Sequence, residues 1–168
     1  SSTSIIIPAG STSGTATTTA IADQVDEESE TITVDVSGVS GGNGASESGN
    51  QQVSITITDD DTAAFTVTQS SGSTSVAESG SSDDFTVVLG SEPTGNVIFD
   101  LSASDSTEAT LSASTLTFTS SNWNNTQTVT VTGVNDNVSD DNVTSTITVA
   151  INQGSTADAK YDALSSQS

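Results

Sequence analysis

The chain has 168 residues, of which 22 are acidic and only one, Lys160, is basic, so its formal charge is −21. Nucleic acid and anionic membranes are bound through Lys and Arg, and a chain of this charge repels both. There is no Cys, which removes disulfides as a source of stability, and hydrophobic residues make up 31%. Metal binding is the staple left to so lean a domain.

Low hydrophobicity with high net charge also describes disordered chains. Repeated alternation of Val, Ile, Thr and Phe argues against disorder here and for strands separated by Gly, Ser, Asn and Asp. Ser4–Ile7 is expected to form a short strand ended by Pro8-Ala9-Gly10, and Thr15–Ile21 a second. The acidic loop Asp23–Glu30 leads to a strand over Thr31–Val36, and a Gly-rich loop, Gly38–Gly49, leads to another over Val53–Thr58. Three adjacent carboxylates follow, Asp59-Asp60-Asp61. They read either as a solvated acidic linker or as oxygen ligands for a hard cation such as calcium, which takes six to eight of them.

Beyond the triplet, Ala64–Thr68 and Ser75–Glu78 read as one edge strand broken by a Ser/Gly turn. Phe85–Leu89 reads as a buried strand, Glu92-Pro93-Thr94-Gly95 as a turn, and Val97–Leu101 as its antiparallel return. Leu111, Leu116 and Phe118 anchor the next stretch. Strands over Gln127–Val134 and Thr144–Ile151 flank a second acidic loop, Asp136–Asp141, and an irregular segment carries Lys160 and Tyr161. Short strands at this spacing imply an antiparallel β-sandwich.

The two halves of the chain are related by a repeat. Thr15–Ile21 aligns with Thr128–Val134, Asp23 with Asp136, Glu27-Glu28 with Asp140-Asp141, and Thr31-Ile32-Thr33-Val34 with Thr146-Ile147-Thr148-Val149. The similarity covers about fifty residues at a period of roughly 115, a usual domain size. In this frame residues 1–61 are the second half of one module. Residues 62–168 are a nearly complete second module lacking its last strand and its acidic triplet. The chain has no initiating Met and is expected to be a piece of a longer polypeptide. Two arrangements suit the offset frame: a tandem array, or modules completed by strands from neighbouring molecules.

These motifs resemble the Calx-beta family. Val76-Ala77-Glu78 matches its early Val-x-Glu, Asp23–Glu30 and Asp136–Asp141 its acidic loop, and Ile55–Asp61 its closing Ile-x-Ile-x-Asp-Asp-Asp. Pro8-Ala9-Gly10-Ser11-Thr12 is similar to the family's turn before that loop. The resemblance implies all-β, antiparallel immunoglobulin-like β-sandwich modules in tandem that bind Ca2+ through loops at one end. The ligands it implies are Asp23, Glu27, Glu28, Glu30, Asp59, Asp60 and Asp61 in the first copy. In the second they are Glu78, Asp105, Asp136, Asp140 and Asp141. It further implies an extracellular, cell-surface extender module of a large adhesin, stiffened by calcium at the junction between modules. The expected partners are neighbouring repeats, or subunits that supply the missing strands.

Three other roles compete with this one. A strand-exchanged extracellular filament is the first. The second is a ligand-, sugar- or ice-binding β-surface built on Thr15, Thr17 and Thr19 and on Thr126, Thr128, Thr130 and Thr132. Catalysis is the third, and it is disfavoured because no His or Cys is present to serve as base or nucleophile.

Overall fold

A computed structural model describes residues 4–49, 51–136, 138 and 141–164. The protein is all-β with antiparallel sheets, and it forms two compact units. One comprises Ser1–Asp23 and Glu30–Ile57, the other Gln24–Ser29 and Thr58–Ser168.

The first unit is built on one hairpin. Strands β1 (Glu30–Asp35) and β2 (Gln52–Ile57) pair antiparallel, with Ile32 opposite Ile55 and Val34 opposite Val53. Period-two alternation places Ile32, Val34, Val53, Ile55 and Ile57 on one face and Thr31, Thr33, Ser54 and Thr56 on the other. The apolar face is poorly covered, since Ile32 is 42% and Val53 60% exposed. A lone two-stranded hairpin is marginal in water.

The expected strands over Ser4–Ile7 and Thr15–Ile21 do not form; both stretches are irregular. Ile6 and Ile21 are 79% and 92% exposed. The repeat counterpart of Thr15–Ile21, Thr128–Val134, lies almost wholly in a strand of the second unit, where it is paired on both sides. Among the described residues the first unit has no neighbouring strand to pair with either irregular stretch.

Among its described residues the second unit has seven strands. They are β3 (Phe65–Gln69), β4 (Ser82–Leu89), β5 (Val97–Ala103), β6 (Ala109–Leu111), β7 (Thr115–Phe118), β8 (Gln127–Gly133) and β9 (Ile147–Ile151). They form a four-stranded sheet in the order β3-β4-β8-β6 and a three-stranded sheet in the order β7-β5-β9. Each strand alternates. Phe85, Val87 and Leu89 of β4, Val97, Phe99 and Leu101 of β5, and Val129 and Val131 of β8 are buried in one shared core. Phe99 packs edge-to-face on Phe65 at 4.9 Å and on Phe118 at 5.8 Å, joining the two sheets. Trp123 plugs the core from the turn after β7. The segment Ser75–Glu78, expected to extend the edge strand, has no strand pairing. A 3₁₀ turn at Ser70–Gly72 separates it from β3.

One strand pairing differs from expectation. β5 is not the hairpin partner of β4; it crosses to the other sheet and pairs with β7 and β9. The cause lies in the connection between them. Ser91 and Pro93 are fully buried there. The Tyr161 hydroxyl accepts from Ser91 N at 3.0 Å and donates to Ser91 O at 2.8 Å. A short helix, α1 (Ala159–Asp162), carries Tyr161, and Asp158 caps it. The Asp158 carboxylate also accepts from Thr94 N at 2.7 Å and Thr94 Oγ1 at 2.8 Å. The connection is thereby held across the end of the core by residues far along the chain.

Burial favours the neutral form of Asp158, but its bonds from Tyr161 N, Thr94 and Lys160 N outweigh this and hold its pKa below the ordinary aspartate value. A lowered carboxyl pKa stabilises the fold above about pH 4, and that contribution disappears as pH falls through the lowered value. Asp158→Ala leaves the N–H groups of Thr94, Lys160 and Tyr161 without their acceptor and should cost about 2–3 kcal/mol at pH 7. Urea unfolding of both proteins should show this gap at neutral pH and a narrowing gap below pH 4.

Candidate metal centre

Six residues of the second unit, Gln24–Ser29, come from the acidic loop and lie against its body. Glu92 N donates to Gln24 O at 2.6 Å. Asp26 Oδ2 accepts from Ala63 N at 2.6 Å, and Glu27 N donates to Asp59 Oδ2 at 3.0 Å. Lys160, the only base in the chain, lies 3.4 Å from Asp26 Oδ1 and also bonds Glu28. The Glu28 bond is the main cause that raises the Lys160 pKa above the ordinary lysine value, and Asp26 adds to it. The loop is thus fixed to Asp59 of the triplet, to Ala63 just beyond it, to Glu92 and, through Lys160, to α1.

The geometry of the triplet follows from its place in the chain. β2 ends at Ile57 and β3 begins at Phe65, so Asp59, Asp60 and Asp61 lie in the short irregular connection between them. Asp59 Oδ1 accepts from Asp61 N at 3.4 Å. One oxygen from each of Asp59, Asp60 and Asp61 lies within 4.8 Å of the others. Among the described residues, this is the one group of three or more potential metal ligands so close together. Asp59 and Asp61 are half-buried and Asp60 is exposed.

Three like charges at this spacing repel, and a cation relieves them. The donors are all hard carboxylate oxygens, with no imidazole or thiolate, which suits calcium or magnesium rather than a soft transition metal. Each carboxylate oxygen has two lone pairs, so the bonds that Asp59 accepts leave capacity for an ion. The residues fit a hard divalent cation.

The remaining expected ligands are placed as follows. Glu27 reaches the triplet through its backbone N–H, and the Glu28 carboxylate is held by Lys160. Asp23 and Glu30 belong to the first unit, where Glu30 stands opposite Ile57 at the start of β1. In the second copy, Glu78 and Asp141 line one cleft together with Glu108. Asp105 Oδ1 accepts from Thr107 N and Oγ1, which stabilise its charged form and lower its pKa. Asp136 Oδ1 accepts from Val138 N at 2.7 Å, closing a turn. Asp140 lies outside the described residues.

Asp26 and Glu108 were not singled out from the sequence. Asp26 sits inside the acidic loop, where only its neighbours matched the family spacing, and Glu108 precedes β6 with no acidic neighbour to draw attention to it.

Close backbone packing fixes the Val76-Ala77-Glu78 segment. A Cβ on Gly133 would lie 2.2 Å from Ala77 O, and Gly133 N donates to Ser81 O. No family model, curated protein or solved structure matches the chain.

Two outcomes follow from these contacts. Gly133→Ala should destabilise the protein by about 1–3 kcal/mol through overpacking against backbone, measured by thermal unfolding. Lys160→Met should release the acidic segment, so that the amides of Glu27 and Ala63 exchange with deuterium faster while those of β5 do not change.

Proposed function

We propose that this protein is a calcium-binding structural module of the immunoglobulin-like sandwich type, repeated along an extended extracellular protein such as a surface adhesin. Calcium is bound by Asp59, Asp60 and Asp61 and stiffens the link that runs from one module into the next. The observation that carries this reading is the clustering of the three carboxylates beside an acidic segment that precedes them by some thirty residues in the chain. The bond from Glu27 N to Asp59 joins the two stretches. The order of motifs, which resembles the Calx-beta family, supports the same reading. So does a charge of −21, which counter-cations offset outside the cell, where calcium is abundant.

The role asked of the ion is mechanical. It draws the triplet's oxygens onto one centre and so restricts the backbone between β2 and β3. The residues of this chain do the rest: Asp26 fastens the acidic segment to Ala63, and Lys160 holds it from the other side. Sites in extracellular modules bind calcium with Kd of roughly 10⁻⁴–10⁻³ M. At a hundredfold excess over Kd one site adds about 2.7 kcal/mol to stability, a large share for a lean domain.

The reading is tested by small-angle scattering and thermal unfolding in millimolar calcium and in chelator. Calcium should raise the unfolding temperature and change the maximum dimension of the chain. Asp59→Asn, Asp60→Asn and Asp61→Asn combined should abolish both responses. A maximum dimension and melting temperature indifferent to calcium would refute the proposal.

A further inference from the structure

β9 is the edge of its sheet: the strand order ends there, with β5 as its neighbour. Ser104 N donates to Thr146 O and Asn152 N to Ile98 O, which fixes the phase of the β5–β9 ladder. In an antiparallel pair alternate residues turn their N–H and C=O groups to opposite sides. Thr146, Thr148, Ala150 and Asn152 therefore address β5, and Ile147 and Val149 direct theirs to the open side. Beside that edge is a cleft of about 960 Å³ between the two sheets. Val67, Phe85 and Val131 line it from the four-stranded sheet, Ile147 and Val149 from β9, and Val76 from the irregular segment after β3. Glu78, Glu108 and Asp141 line its polar side, and a cleft with such an apolar strip flanking an unprotected strand edge is a template for strand addition.

The chain itself indicates which strand belongs there. By the internal repeat, Thr146-Ile147-Thr148-Val149 of β9 corresponds to Thr31-Ile32-Thr33-Val34 of β1. β1 carries an antiparallel partner, β2, with Ile32 opposite Ile55 and Val34 opposite Val53. β2 has the pattern the cleft requires: Val53, Ile55 and Ile57 on one face, Ser54 and Thr56 on the other. It has only β1 as a sheet neighbour, so its second edge is open, and Val53 is 60% exposed.

We infer that the β9 edge and its cleft receive β2 of a second copy of this chain. The added strand runs antiparallel to β9, with Ile55 of the second copy opposite Ile147 and its Val53 opposite Val149. β9 takes the place of the second copy's own β1 beside that strand, so the receiving sheet grows to the order β7-β5-β9 followed by β2 of the second copy. Burial of Val53, Ile55 and Ile57 against the cleft drives the contact, and the outward N–H and C=O groups of Ile147 and Val149 set its register. The inference rests on the repeated-module part of the proposed function and not on calcium.

The probe is a synthetic peptide of residues 51–58, which ends before the triplet, titrated into the full chain in the presence of chelator. Saturable binding is expected, together with slower deuterium exchange at the Ile147 and Val149 amides. The peptide should also dissolve any concentration-dependent self-association seen by sedimentation. An Ile55→Lys peptide should bind at least about tenfold more weakly, the equivalent of roughly 1.4 kcal/mol. Ile147→Pro, at the first residue of the strand, removes an outward N–H while sparing the β5 ladder, and should weaken binding of the unaltered peptide similarly. If that variant misfolds, as reported by the near-ultraviolet signal of Trp123, the peptide pair decides alone. Absence of saturable binding, equal binding of the Ile55→Lys peptide, or binding that leaves both amides unprotected would overturn the inference. Because chelator is present throughout, loss of peptide binding and loss of the calcium response are separate results.

Discussion

Twenty-two carboxylates and a single ammonium cannot be paired with one another, so the fold must satisfy its acids by other means. It does so with backbone N–H groups. Asp26 accepts from Ala63, Asp59 from Glu27 and Asp61, Asp83 from Ser75 and Asp84, and Asp158 from Thr94, Lys160 and Tyr161. Hydrogen bonds to an ionised acceptor are stronger than neutral ones. Each of these aspartates therefore staples a loop in a protein without disulfides. At Asp83 the Ser70 hydroxyl and the Ser75 and Asp84 amides lower the carboxyl pKa, so the staple stays charged well into acid. At the triplet three carboxylates share one short connection, with an oxygen of each within 4.8 Å of the others.

Alternation of apolar and polar residues was enough to locate several strands of the second unit. Phe85–Leu89, Val97–Leu101 and Gln127–Val134 all lie in or nearly coincide with strands, because each buries one face on a shared core. Sheet membership was harder to read. Period two says which face of β5 is buried but not which sheet it joins, and that choice depends on Tyr161 and Asp158, some 60–70 residues away from the connection they hold. The same pattern misled at Ser4–Ile7 and Thr15–Ile21, where alternation is present but no neighbouring strand accepts the hydrogen bonds. A strand is a property of a pair.

The triplet was conspicuous as a run of charge, and its three carboxylates do lie close together. Its neighbourhood was less legible. Asp26 and Lys160 are 134 residues apart in sequence, and no local pattern announces that the sole base is reserved for the acidic segment. The first unit shows the converse case. Ile32, Val34, Val53 and Ile55 display a sound strand pattern and a correct register, yet their face stays exposed.

The central claim is that Asp59, Asp60 and Asp61 bind one calcium ion, and carboxyl-carbon NMR during a calcium titration tests it residue by residue. The account predicts saturable shifts confined to these three carboxyl resonances, while those of Asp83 and Asp158 stay in place. A uniform drift of all the acidic residues, growing with ionic strength and never saturating, would contradict it.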